Sequence, residues 1–192
     1  MPVVNKLGAR VRQLREMREM TCAQLAERSR CHVELLERIE AGELVPSLAP
    51  LMSIARALGL RLGTLLDDEP HAGPALVKAG QSANVIRFSG NDPSANSSNL
   101  VFQAMGAGKQ DRHMEPFLID VQPGAEQSPS VSSHEGEEFI YVLSGSVQVN
   151  YGETVYRLAA GDSLYYDSVV PHNVCACDGA AARILAVVYS PF

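Results

Sequence analysis

The sequence predicts an α+β protein of two domains, an all-helical N-terminal third and an all-β body. Three observations predict it. Apolar residues recur at helical spacing up to Leu66. A charged, proline- and glycine-rich break, Asp67-Asp-Glu-Pro-His-Ala-Gly-Pro-Ala75, comes next. After it, short runs of β-branched and aromatic residues alternate with turn signals such as Ser144-Gly145 and Gly161-Asp162. The expected division is a helical domain over 1–66, a linker over 67–81 and a β domain over 82–192.

The elements follow in order. Leu7, Val11, Leu14 and Met17 mark the apolar stripe of a first helix, with Arg10, Arg12, Arg15 and Arg18 on its other faces. Thr21, with Gln24 three residues on, is a capping-box start for a second helix through Arg28. A third should run from about His32 to Glu40 and stop at Gly42. Pro46-Ser47 opens a fourth, closed by Gly59, and Leu62, Leu65 and Leu66 form a last turn packed on the bundle. Strands are expected over 85–88, 100–105, 117–121, 139–143, 147–151 and 183–189, with a polar loop over 91–99. Many short strands at even spacing specify a sandwich or barrel.

Composition narrows the class. At 192 residues, with 46% hydrophobic and 20% charged residues, the chain can bury two small cores. No apolar run reaches the roughly 18 residues of a membrane span, and no basic flank precedes an apolar N-terminal stretch, so a cytoplasmic location is expected. Residues 1–66 hold ten Arg and Lys against seven Glu, a balance of +3, whereas the remainder carries −9. A mildly basic head on an acidic body suits a nucleic-acid reader attached to something that avoids phosphate. Cys22, Cys31, Cys175 and Cys177 are too few for a disulfide scaffold. Cys175 and Cys177 read either as small buried hydrophobes or as a redox or metal pair. No phosphate loop, nucleophile elbow or Cys-x-x-Cys pair occurs.

Thr21-Cys-Ala-Gln-Leu-Ala26, Leu36-Glu-Arg-Ile-Glu-Ala-Gly42, Pro46-Ser47-Leu48 and Ile54-Ala55-x-Ala57-Leu58-Gly59 together resemble the phage-repressor-like, XRE-type helix-turn-helix family. The resemblance covers residues 7–66 and implies that the third helix enters the major groove of a double-stranded DNA operator. The base-reading positions would be His32, Val33, Glu34 and Arg38, with Arg38 pairing to guanine and Glu34 accepting from cytosine. Thr21 and Gln24 resemble the family's phosphate contacts. Glu34, Glu37 and Glu40 make this helix unusually acidic. The alternative is a fold that has kept its shape and lost its DNA.

In the β domain, His134 and Glu138 differ by an even number, which in one extended strand puts both side chains on one face, followed inward by Ile140 and Val142. The run His134-Glu-Gly-Glu-Glu138-Phe-Ile-Tyr-Val-Leu-Ser-Gly145, then Gly161-Asp162 and Pro171-His172, resembles the two motifs of the cupin barrel, a double-stranded β-helix. The resemblance implies a metal face of His134, Glu138 and His172. Two imidazoles and a carboxylate suit Fe(II), with Mn, Ni, Co or Zn as alternatives. The family's first motif usually has a further His two residues before His134, and here that position is Ser132. Without metal, the same histidines would be polar barrel residues bonded to Glu138. Tyr165-Tyr166 either line the pocket or belong to the core, Asp162 makes a turn bond, and His71 and His113 are solvated.

The combination resembles bacterial regulators in which a cupin barrel senses a small-molecule or metal effector and the helices hold an operator, usually as a homodimer. No catalytic residue is assigned on this reading. The alternative is a non-haem Fe(II) oxidative enzyme of the hydroxypropylphosphonate epoxidase type, which shares the domain order and the three-ligand face.

Overall fold

The structure, a computed structural model, describes residues 3–66, 73–80, 85–87, 100–109, 112–123 and 131–191. Phe88, His71, the loop 91–99 and linker residues 67–72 and 81 lie outside them. Helices come first: α1 (Val3–Glu16), α2 (Cys22–Ser29), α3 (Val33–Glu40), α4 (Leu48–Ala57) and α5 (Leu62–Leu66). No described helix is long and apolar enough to cross a membrane.

Leu7, Val11 and Leu14 of α1 are buried as their spacing predicts. Met17 departs from the prediction: α1 ends at Glu16, and Met17 is 71% exposed. The chain turns there, with Glu19 in the left-handed region, and Met20 enters the core instead. The predicted capping box is formed. Gln24 N donates to Thr21 Oγ1 at 3.2 Å, and Thr21 N donates to Gln24 Oε1 at 2.8 Å. Gly42 and Gly59 follow α3 and α4 with positive φ. Gly8 allows α1 and α3 to touch, since a Cβ there would lie 2.0 Å from the Ile39 carbonyl oxygen.

The strands are β1 (Val85–Arg87), β2 (Leu100–Ala104), β3 (Met114–Val121), β4 (Glu137–Ser144), β5 (Ser146–Tyr151), β6 (Thr154–Ala159), β7 (Ser163–Asp167), β8 (His172–Ala176) and β9 (Ala182–Tyr189). Among the described residues they form two antiparallel sheets, β1-β2-β3-β9-β4-β7 and β6-β5-β8. The strands β6, β7 and β8 were not among those predicted. In β6 only Leu158 is buried, so no alternation marks it, and β8 beyond His172 is half-buried throughout.

The register of the larger sheet positions the site. Glu115 of β3 and Glu138 of β4 both stand opposite Val188 of β9, and Glu138 stands opposite Tyr166 of β7. All four side chains are buried, so Glu115, Val188, Glu138 and Tyr166 form one inward row. The helices close against this part of the sheet. Gly63 N of α5 donates to Glu115 Oε1 at 2.9 Å, and Arg112 Nε donates to Glu115 Oε2 at 2.7 Å. Buried apolar residues of helices and strands form one contiguous core.

Candidate metal centre and nucleic-acid interface

On α3, Leu36 and Ile39 face the core, while His32, Val33, Glu34 and Glu37 are exposed. The helix therefore presents its N-terminal half to solvent. Arg38 is half-buried one turn further on, its Nε 3.8 Å from Glu43 Oε2. Glu40 points the other way. Arg15 of α1 grips it with two bonds, Nε to Oε1 at 2.6 Å and Nη2 to Oε2 at 2.8 Å, and donates Nη1 to the Met20 carbonyl at 2.6 Å. A bidentate, largely buried guanidinium–carboxylate pair is directional, so it fixes α3 against α1. The hydrogen bond to Glu40 is the main reason that the Arg15 pKa is raised. One of the three glutamates is thus an internal brace, leaving Glu34 and Glu37 on the open face. Thr21 and Gln24 are exposed at the start of α2 while engaged in their mutual cap.

The metal-type residues converge. Donor atoms of His134, Glu138 and His172 all lie within 4.8 Å of one another, and all three residues are buried. The route differs from the expectation of one strand face: His134 precedes β4, just before a bend at Glu135 and Gly136, and only Glu138 lies in the strand. His134 N donates to Ser168 O at 3.0 Å and Ser168 N to Gly136 O at 2.9 Å. Gly136 adopts φ +114, and a Cβ there would lie 1.9 Å from the Tyr189 carbonyl oxygen. The bend therefore requires glycine for both dihedral and space. His172 begins β8 in the smaller sheet, and its backbone exchanges two bonds with Ser132, at 2.8 and 2.9 Å. Directly opposed antiparallel residues put their side chains on the same face, so Ser132 stands beside His172 where a fourth ligand would stand.

Hydrogen bonds orient the donors. His134 Nδ1 lies 3.2 Å from Glu135 O, and His172 Nδ1 lies 2.8 Å from Val170 O. A carbonyl only accepts, so each Nδ1 carries the proton and each Nε2 is turned to the shared centre. Glu138 Oε1 sits 2.7 Å from His134 Nε2 and 3.4 Å from His172 Nε2. Tyr166 Oη donates to the other oxygen, Oε2, at 2.7 Å.

Burial works to raise the Glu138 pKa, but the hydrogen bonds and charges of His134 and His172 outweigh it and hold the carboxyl far below the usual range. For His172, burial pulls down while the Glu138 bond and charge and the Val170 carbonyl push up, and the net shift is upward. Burial, then Glu138, raise the Tyr166 phenol, so it remains a donor. Two neutral imidazole nitrogens and one carboxylate oxygen fit a divalent transition metal. Of the aromatic pair, Tyr166 belongs to this site, while Tyr165 is 63% exposed and donates to Glu137. Strand parity carried that distinction, since Tyr166 is opposite Glu138.

Other residues stand as their types suggest. Asp162 Oδ2 accepts from Ala159 N at 2.8 Å across the turn, and His113 is exposed. The four cysteines are free and half-buried, and Cys177 lies beyond the end of β8.

Residues 6–68 match the helix-turn-helix domain family, and residues 117–188 match the cupin domain family. The chain is 21% identical over 179 residues to the HTH-type transcriptional regulator PuuR of Escherichia coli (strain K12), covering 93% of this chain and 92% of that one. It is 28% identical over 162 residues to the (S)-2-hydroxypropylphosphonic acid epoxidase of Streptomyces wedmorensis, covering 79% and 77%. Among solved structures, an HTH_3 family transcriptional regulator from Vibrio cholerae superposes with a TM-score of 0.67 at 21% identity, covering 98% and 97%. Fe(II) HppE superposes with a TM-score of 0.50 at 24% identity, covering 98% and 100%. Both structures share the fold of this chain.

Proposed function

We propose that this chain, which joins a helix-turn-helix domain to a cupin domain, is a DNA-binding transcriptional regulator whose cupin barrel senses a small-molecule or metal effector. The observation that carries this reading is the match to a transcriptional regulator along both domains at once. The geometry agrees with it: a braced α3 with an open N-terminal half stands on the same chain as a buried donor face. The domains run over 1–66 and 82–192 with a linker over 67–81. His32, Val33, Glu34 and Arg38 meet base edges, and Thr21 and Gln24 meet phosphates. The protein acts in the cytoplasm as a homodimer, because two recognition helices one DNA turn apart read a palindrome. His134, Glu138 and His172 hold a divalent metal, Fe, Mn, Ni, Co or Zn, which supplies Lewis acidity and open coordination positions to an effector. An effector acts only if it binds the DNA-competent and DNA-free states with different affinity.

The test is selection of fragments from sheared genomic DNA by the purified protein at near-physiological salt. Enrichment of a few palindromic sites, with affinity falling steeply as salt rises, is the expected result. Arg38→Ala should lose that binding with the barrel intact, and full binding by the variant would remove Arg38 from the interface. The second reading, a non-haem Fe(II) oxidative enzyme, is favoured by the three-ligand face and the 28% identity to the epoxidase. It takes the lead if no fragment is enriched and Fe(II)-dependent oxygen consumption appears that His134→Ala abolishes.

A further inference from the structure

The donor face and the DNA-reading domain are joined by two short connections. The first runs through the bend before β4. His134 comes just before that bend and Glu135 lies in it, and the Glu135 carbonyl accepts from His134 Nδ1. The Glu135 carboxylate reaches out to Arg56, in the last turn of α4, and forms an ion pair. That pair is the principal reason the Glu135 pKa is lowered. The backbone around it cannot swing freely, because Ser168 brackets the bend on both sides and Gly136 is packed on the Tyr189 carbonyl.

The second connection runs along the inward row. Glu138 stands opposite Val188, and Val188 stands opposite Glu115. Glu115 takes the Gly63 N–H of α5. Val188 also lines the small cavity between the domains, together with Met52, Ala55 and Leu62. One residue therefore separates the metal-type carboxylate from the carboxylate that anchors the helices. Neighbouring strands lie about 4.8 Å apart, so the two carboxylate-bearing backbones are only about 10 Å apart.

We infer that the Arg56–Glu135 pair and the Gly63–Glu115 bond transmit the state of the His134, Glu138 and His172 face to the orientation of the helix-turn-helix domain. The inference rests on the regulator reading above. A cation held by His134, Glu138 and His172 would act on His134, whose Nδ1 partner is the residue that holds Arg56. α4 packs on α2 and α5, so a shift at Arg56 moves the element supporting the recognition helix. Packed interfaces of this kind settle in discrete arrangements, which turns a sub-ångström change at a ligand into a reorientation.

The experiment uses full-length protein and Co(II), whose visible absorption reports its own binding. Hydrogen exchange of residues 48–66 is measured with and without Co(II) and without DNA, and affinity for a selected DNA fragment is measured in the same two states. Wild type should show a Co(II)-dependent change in exchange over 48–66 and a change in DNA affinity of at least about fivefold, the lower end for coupled sites. Arg56→Gln should bind Co(II) as wild type does, both Arg56→Gln and Glu135→Gln should lose most of both responses, and Arg56→Lys should keep them. Unchanged responses in Arg56→Gln and Glu135→Gln overturn the inference. So does a wild type that fails to bind Co(II), or that binds it without any change over 48–66. Absence of DNA binding in every state overturns the regulator reading instead, and the exchange measurement still decides the coupling.

Discussion

At the scale of single residues, Glu138 is the centre of the site, and its two oxygens have different partners. Tyr166 takes Oε2, leaving Oε1 to the two imidazoles. A carboxylate held this way would offer a cation Oε1, the oxygen that Tyr166 does not take. Tyr166→Phe should therefore weaken Co(II) binding by about tenfold, the lower end for lost outer partners, with the fold intact by circular dichroism. Ser132→His should act in the opposite direction, since it places a fourth donor beside His172; tighter Co(II) binding by calorimetry is the expected result. Protonation sets the sign of the pH response. Metal needs the Nε2 lone pairs, and the His172 pKa is raised above its ordinary value, so the metal-free site keeps a proton on that ring to higher pH than a solvated histidine. Co(II) affinity should rise with pH through and beyond the range in which a solvated histidine titrates, with proton release on binding, and level off once His172 is neutral without metal. A flat profile would mean that the cation enters without displacing that proton.

At the scale of elements, α1 and α3 are held together by the Arg15–Glu40 brace and by the close approach at Gly8. Gly8→Ala poses two opposed effects. Alanine gains about 1 kcal/mol of helix propensity over glycine. Against that, its Cβ would sit 2.0 Å from a backbone oxygen of α3, and overpacking of this kind typically costs about 1–3 kcal/mol. Backbone cannot step aside as a side chain tip can, so the clash should win and urea unfolding should show net destabilisation. Removing the brace with Glu40→Ala should cost about 2–3 kcal/mol, because Arg15 is left buried without its carboxylate. The exposed acids of α3 behave differently. One charge about 8 Å from a phosphate in water is worth about 0.5 kcal/mol, so Glu34→Gln and Glu37→Gln should each raise affinity for random duplex about twofold at low salt. These elements also show what was legible in the sequence. The capping box, the helix stops and the three donor residues were readable because each depends on local chemistry or a fixed motif. Local spacing could not reveal that Glu40 turns inward to Arg15, a partner 25 positions away. Nor could it show β6, whose two faces are both mostly exposed and so lack alternation. Parity suggested the right site for His134 by the wrong route, since the bend at Gly136 rather than a continuous strand brings it to Glu138.

At the scale of the whole molecule, the question is whether the two domains unfold as one. Two small domains joined only by a linker would unfold separately, each with its own midpoint. Here the seam contains a buried charged pair. Arg112 and Glu115 have side chains 7% and 8% exposed, and Glu115 also satisfies a backbone N–H of α5. The apolar core continues across the same seam, with Met52, Ala55 and Leu62 on one side and Val188 on the other. Taking away Glu115 leaves the Arg112 guanidinium buried with a lost carboxylate and the Gly63 N–H without its acceptor. A loss of this type costs about 3 kcal/mol, a large fraction of the 5–15 kcal/mol typical of a whole domain. The Arg56–Glu135 pair is open to solvent, so the buried inner contact contributes more to holding the domains together. Wild type should therefore melt in one calorimetric transition. Glu115→Ala should melt in two, the lower belonging to the helices, whereas Arg56→Gln should keep a single transition at nearly the same temperature. Two transitions in wild type would show that the seam contributes too little to couple the domains.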